Sequence, residues 1–358
     1  MRSFRCTCGA RIFFDNSTCL TCGRELGFLP DALALVALEP KANHVYGTSG
    51  GDYRKCANYI EQGVCNWMVG LAAPTRYCQA CDLNHVIPDL SQPQNRVLWQ
   101  DVEKAKRRLV YTLDQMRLPL RSKREDPSAG LAFDIKASDG TKHVLTGHED
   151  GLVTLNLAEA DPREREKARF AMKERYRTLL GHFRHEVGHY YFDVLVRNTP
   201  SLPRFRALFG DETTPYAEAL KAHYARSSPV AFADAYISDY AAAHPWEDFA
   251  ETFAHYLHMQ DTLDTALAFG FATHLPPGAD VAATDDFTAL TAEWMDLTVA
   301  LNALNRSMGL PDAYPFAITS KVKQKLAFVH DVVLGARTQA AQGPPAKSPA
   351  ANGAQASK

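Results

Sequence analysis

All eight cysteines of this chain lie before residue 82, and the rest of its 358 residues hold none. Residues 1–92 are otherwise rich in turn formers and carry only short apolar stretches, so their fold needs cross-links that a hydrophobic core of that size does not supply. Cysteines meet that need as disulfides in oxidising compartments or as metal ligands in reducing ones. The opening stretch, MRSFRCTCGARIFF, has no apolar h-region and no cleavage site. No run of about 18 apolar residues follows it. The expectation is a soluble, cytoplasmic protein with no membrane partner, whose cysteines bind metal. The formal net charge of −2 favours neither nucleic acid nor a membrane surface.

The spacing of the cysteines agrees with this. Cys6 and Cys8 form one close pair, Cys19 and Cys22 a second, and each pair is followed by a glycine. Two turns that each present two thiolates, joined by a short hairpin, build a tetrahedral zinc ribbon. Glycine after the cysteine lets the turn take positive φ, so that backbone amides face the sulfurs. The single residue between Cys6 and Cys8 is tighter than the usual two-residue knuckle. Cys56, Cys65, Cys78 and Cys81 make a second set, in which only CQAC has knuckle spacing. A second four-cysteine site is the expectation; spacing leaves open that the two sets share ligands. Closed four-thiolate sites have no open coordination position, so both zinc ions would be structural. Such modules can present a protein or nucleic-acid partner, and Arg2, Arg5, Arg11 and Arg24 lie nearby, diluted by Asp15, Glu25 and Asp31.

Beyond the cysteines, VLWQDVEKAKRRLVYTLDQMRL reads as an amphipathic helix that Pro119 stops. GLAFDIKAS and GLVTLNLAEAD alternate apolar and polar residues and read as strands, with KHVLTGHED between them as a strand running into a turn. Pro162 opens a helical region that continues to about 335, broken by RNTPSLP and THLPPGADVAATDD. A few strands followed by many helices is an α+β order. The division expected is a ribbon region over 1–92, a body over 93–335 and a disordered tail, poor in anything to bury, over 336–358.

YRTLLGHFRHEVGHYYFDVLV reads as one helix. His185 and His189 are four apart and stack on one face, so both imidazoles can reach one zinc ion. Glu186, one residue on from His185, would take a proton from water beside the metal and return it to a leaving amine. Leu179, Leu180, Phe183, Val187, Tyr190, Tyr191 and Phe192 would bury the helix, and burying two histidines and a glutamate without a metal is costly. Gly188 leaves space for a neighbour, expected to be a strand. His182 reads as structural.

A catalytic zinc needs a third protein ligand and an open position. HPWEDFAETFAHYLH starts a second helix at Pro245, with Glu247 and Glu251 one turn apart on a single face. The first carboxylate can bind zinc, and the second can accept a hydrogen bond from the far nitrogen of a ligand histidine. Glu247 leads; Glu251, His244, His255 and His258 are the alternatives. Tyr240, in the approach to that helix, could donate to a developing oxyanion.

Together, CTCG…CLTCG, CQACDLNHVIPDL, FRHEVGHYYFD, HPWEDFAETFAHYLH and LNRSMGLPDAYPF resemble the bacterial zinc-binding metallopeptidases with an N-terminal zinc ribbon, over residues 1 to about 335. The chain is similar to the gluzincin clan, in which an HExxH helix is followed by a glutamate ligand on a later helix. The resemblance implies a mainly helical, gluzincin-like metallopeptidase domain with a small sheet, His185, His189 and Glu247 as ligands, and Glu186 as catalytic base. The spacing of Tyr240, Glu247 and Glu251 is similar to that in the catalytic domain of anthrax lethal factor, which implies Tyr240 as oxyanion donor and Glu251 as the partner of a ligand histidine. The Cys6–Cys8 pair departs from the family's ribbon spacing.

The expected function is a zinc-dependent endopeptidase acting on a peptide or protein substrate, with one catalytic and two structural Zn2+ ions. An edge strand at 151–157 would pair with the extended substrate. Two alternatives differ in class: a zinc-ribbon binding module with a degenerate or regulatory hydrolase body, and a DNA-associated protease of the SprT kind. In the latter the ribbon follows the protease domain and the third ligand is a histidine.

Overall fold

The cysteine-rich region folds as a series of antiparallel hairpins. Ser3–Arg5 pairs with Arg11–Phe13, Leu26–Leu29 with Ala34–Ala37, and Glu39–Pro40, Val45–Thr48, Gly51–Lys55 and Met68–Gly70 form a four-stranded sheet. The computed structural model describes residues 2–138, 144–171, 176–226, 234–271, 274–276 and 278–342.

The body has mixed helix and sheet, as the α+β order predicts. Its sheet runs Gly147–Glu149, Leu152–Asn156, Ala132–Lys136, Asn84–Val86, with the first pair antiparallel and the others parallel. The fourth strand, Asn84–Val86, lies before residue 92, so the sheet draws on both sides of the expected division. One expectation fails here: the strand within 151–157 is not an edge. Asp150 (φ 47°) and Gly151 (φ 81°) make a two-residue turn that folds Gly147–Glu149 back along it, and Ala132–Lys136 holds its other side. That interior position removes 151–157 as a site for strand addition. Residues Lys142 and His143 of the expected KHVLTGHED strand lie outside the described residues.

Leu179–Leu195 packs on the edge strand Gly147–Glu149 and on Pro245–Phe269, against which Phe287–Ser307 and Ser320–Gln342 lie in turn, and Pro93–Gln115 packs on Leu179–Leu195. The tail expected from 336 is therefore helical as far as Gln342, and 343–358 lie outside the described residues. The amphipathic face of Pro93–Gln115 joins the two regions. Tyr111 meets Phe14 and Phe28 edge-on, with ring centroids 5.2 and 5.9 Å apart, and Phe28 in turn packs on Trp67 at 4.7 Å. Ion pairs cross the same seam: Arg2 to the buried Asp264, and Arg108 to Asp15. One continuous apolar core thus runs from Ile12 to Val333. No described helix is long and apolar enough to cross a membrane.

Candidate metal centre

The helix Leu179–Leu195 begins where the Thr178 hydroxyl accepts the Gly181 amide at 3.0 Å. The helix Pro245–Phe269 begins on His244, whose Nδ1 accepts the Trp246 amide at 3.1 Å, with proline in its first turn. The two helices pack against each other along their length, and Gly188 sets how closely. A Cβ there would lie 2.8 Å from Ala250 Cα and 2.9 Å from its carbonyl oxygen. The neighbour that Gly188 admits is this helix backbone, not the strand expected. Tyr191 on Phe253 (5.2 Å) and Phe192 on Phe249 (5.4 Å) complete the contact.

This close approach brings His185, His189 and Glu247 together. Glu247 Oε2 lies 3.1 Å from His185 Nε2 and 3.3 Å from His189 Nε2. All three residues are buried, yet Glu247 Oε2 makes no hydrogen bond. Donor atoms that close, buried and unaligned with one another converge on a common focus. A tetrahedral ion at zinc–nitrogen and zinc–oxygen distances separates its ligand atoms by about 3.3 Å. The donor set therefore fits a zinc ion held by three protein atoms with one position left over.

The electrostatics follow. Burial pulls the His185 imidazole down, but Glu247 and Glu251 outweigh it and hold it well above the ordinary histidine range. Burial pushes Glu247 up, and the two histidines reverse this and take it well below the usual carboxylate range. Glu251 does not join the cluster. Its Oε1 accepts from His185 Nδ1 at 2.7 Å and its Oε2 from the Ser238 hydroxyl at 2.6 Å. Burial again raises it, but these bonds bring it down to about 2. The Nδ1–H bond leaves the Nε2 lone pair aimed at the focus. His189 lacks such a bond: its Nδ1 is buried without a partner, and its ring is held by Trp246 (3.8 Å) and His148 (5.9 Å).

Glu186 is buried next to the cluster and has no hydrogen-bond partner among the described residues. Tyr240 lies in the short turn Tyr240–Ala243, its ring 5.8 Å from that of His185. Burial, then the Glu247 carboxylate, push its phenol far up, so it remains a donor. The remaining histidines are engaged elsewhere. His244 Nε2 meets the Thr214 carbonyl, His255 Nδ1 meets the Tyr314 hydroxyl, His258 packs among Tyr176, Trp294 and Tyr314, and His182 pairs with Glu159.

Two neighbours of the cluster were not among the sequence candidates. Tyr216 donates its O–H to Glu247 Oε1 at 2.7 Å. His148, on the edge strand, stacks on His189, and burial pushes it down to about 3, so the ring is neutral. Neither sits at a fixed spacing from the histidines, so no local pattern marks them.

The cysteines gather in the two expected sets and do not share ligands: Cys6, Cys8, Cys19 and Cys22, and Cys56, Cys65, Cys78 and Cys81. Sulfurs of Cys6 and Cys22, Cys8 and Cys19, and Cys65 and Cys78 are each 3.7 Å apart. A disulfide needs about 2.0 Å, whereas a tetrahedron of thiolates around zinc has an edge of about 3.8 Å. The tight Cys6–Cys8 spacing is accommodated, and Gly9 (φ 85°) and Gly23 (φ 72°) take the positive φ expected of them. The first set alternates buried and exposed; the second is wholly buried. The four nearby arginines are all engaged within the chain: Arg2 with Asp264, Arg5 with the Gly9 carbonyl, Arg24 with Thr7, and Arg11 over the Phe269 ring.

Two closed thiolate sets and one open histidine–carboxylate set define a zinc-binding protein with a ribbon module. The chain belongs to the family described as "Putative zinc-binding metallo-peptidase", which it matches over residues 95–332, and a zinc-ribbon domain matches residues 3–92. It is 42% identical over 339 residues to uncharacterized proteins of Mycobacterium bovis and of two Mycobacterium tuberculosis strains, covering 93% of this chain and 95% of each relative. No solved structure matches it.

Proposed function

We propose that this protein is a zinc-dependent endopeptidase of gluzincin type, with one catalytic and two structural zinc ions. The observation that carries the reading is the focus shared by His185, His189 and Glu247, at 3.1 and 3.3 Å with no hydrogen bond among them. His185, fixed by Glu251, and His189, fixed by ring packing, would hold the catalytic ion with Glu247, and the eight cysteines would hold the structural pair. When bound, zinc supplies Lewis acidity, polarising a carbonyl and making water acidic near neutral pH.

The chain's own residues do the rest. Glu186, free of other partners, takes the proton of the attacking water and passes it to the leaving amine nitrogen. Tyr240 donates to the carbonyl oxygen as negative charge develops on it. An extended peptide would pair along Gly147–Glu149, the true edge of the sheet. In a two-residue hairpin the pair flanking the turn is the hydrogen-bonded one, so the N–H and C=O of His148 are left facing outward. That places a substrate backbone beside the residue whose side chain stacks on His189. A ribbon that precedes the body and a glutamate in third place count against the SprT-like reading.

The test is a proteome-wide cleavage screen with the wild type and Glu186→Gln. New termini made by the wild type and reduced by about 10²–10⁴-fold in the variant are expected. Identical fragment profiles from the two would end the peptidase reading and leave the binding module in its place.

A further inference from the structure

We propose that Tyr216 restricts Glu247 to one-oxygen coordination and so keeps the fourth position of the ion open. This rests on the metal reading of the site. A carboxylate can bind an ion through one oxygen or chelate it through both. Chelation by Glu247 would add a fifth donor and crowd the position that water and a substrate carbonyl need. In this site the two oxygens have different partners. Oε2 faces both histidine nitrogens, and Oε1 accepts the Tyr216 hydroxyl at 2.7 Å. Swinging Oε1 toward the ion would break that bond.

The phenol is well placed to hold its ground. Tyr216 opens the helix Tyr216–Tyr224 just after Pro215. Its ring is wedged edge-on against His244 (5.4 Å) and Trp246 (6.0 Å), the residues that begin the Glu247 helix. Trp246 also covers His189. The hydroxyl is thus positioned by the same turn that delivers the ligand. Tyr216 acts through Glu247 and is a positioning residue.

Cobalt(II) is the probe, because four-coordinate cobalt absorbs several-fold more strongly in the visible than five-coordinate cobalt. The full chain is first loaded with zinc at the cysteine sites. Cobalt is then added, and the absence of a sulfur-to-cobalt band confirms that it occupies the histidine–glutamate site. Tyr216→Phe removes one partly exposed oxygen and should fold. We expect its visible absorption to fall several-fold, with zinc affinity at that site about 10-fold weaker. A spectrum identical to wild type overturns the proposal, whatever the affinity does. Tyr216→Leu, read the same way, serves if the first variant does not fold. A wild type that takes up no third ion sinks the metal reading as well, whereas a bound ion with an unmoved spectrum sinks only the role of Tyr216.

Discussion

The cysteine sites and the histidine–glutamate site solve the same coordination problem by opposite means. Each cysteine site draws its ligands from turns close in sequence, as in Cys6 to Cys22, and four thiolates close the sphere. The other site draws its donors from two helices, with His185 and Glu247 far apart along the chain, and three donors would leave a tetrahedral ion one position free. In the first case bound metal would staple neighbouring turns to one another, on top of the aromatic contacts that tie Phe14 and Phe28 to Tyr111. In the second the fold makes the site, because Gly188 and the aromatic seam fix the helices whether or not an ion is present. A structural ion can therefore be local and saturated, while a reactive one depends on distant packing that holds three donors still.

Metal removal should break this comparison most visibly. Wild type is expected to carry three zinc ions per chain and Glu247→Ala two, counted by elemental analysis. A mild chelator that empties only the histidine–glutamate site should leave the melting temperature nearly unchanged. Stripping the cysteine sites should unfold the ribbon region, since structural zinc of this kind contributes on the order of 10 kcal/mol. Equal losses of stability from both steps would dissolve the distinction.

Gly188→Val tests the second half of the contrast. The added carbons meet the Ala250 backbone, which cannot move aside as a flexible side chain could. A loss of about 2–3 kcal/mol is expected, with zinc lost from the histidine–glutamate site and kept by all eight cysteines. Three ions retained in a stable variant would mean that helix contact does not set the ligand geometry.

The smallest effect concerns the seam between the regions. Asp114 accepts from Gln79 at 3.1 Å, and burial, with Asp31 adding to it, pushes its carboxyl up to about 7. The folded chain therefore holds a proton that the unfolded chain has released between about pH 4 and 7. Stability from this group falls as pH rises through that window. Asp114→Asn should melt like wild type at pH 4 and be more stable at pH 8 by on the order of 2 kcal/mol. No gain at pH 8 would show that the carboxylate is tolerated in the seam.

What could be read in advance follows the same divide. Spacing alone marks a four-cysteine site, and a four-residue repeat marks two histidines on one helical face, because both are properties of a local turn. Glu247 and Glu251 were legible as one face of a helix with Glu247 the leading candidate, and packing brings Glu247 to the two histidines and Glu251 to the far nitrogen of His185. Tyr216 and His148 were not legible, since each reaches the cluster from an element with no fixed spacing to it. The strand within 151–157 was recognised, but its neighbours depend on a hairpin at Asp150–Gly151 that alternation does not disclose. Asn84–Val86 was hidden by the assumption that a boundary in composition is also a boundary in hydrogen bonding.

That last strand has a consequence of its own. It follows Cys81 almost directly and lies at one margin of the sheet, while His148 lies at the other, against His189. The sheet is thus a plank with a cysteine cluster at one end and the histidine–glutamate cluster at the other. Cutting the chain at residue 92 would not release a free-standing body; it would pull out the outermost board and leave the Phe133 amide without the Leu83 carbonyl that accepts it.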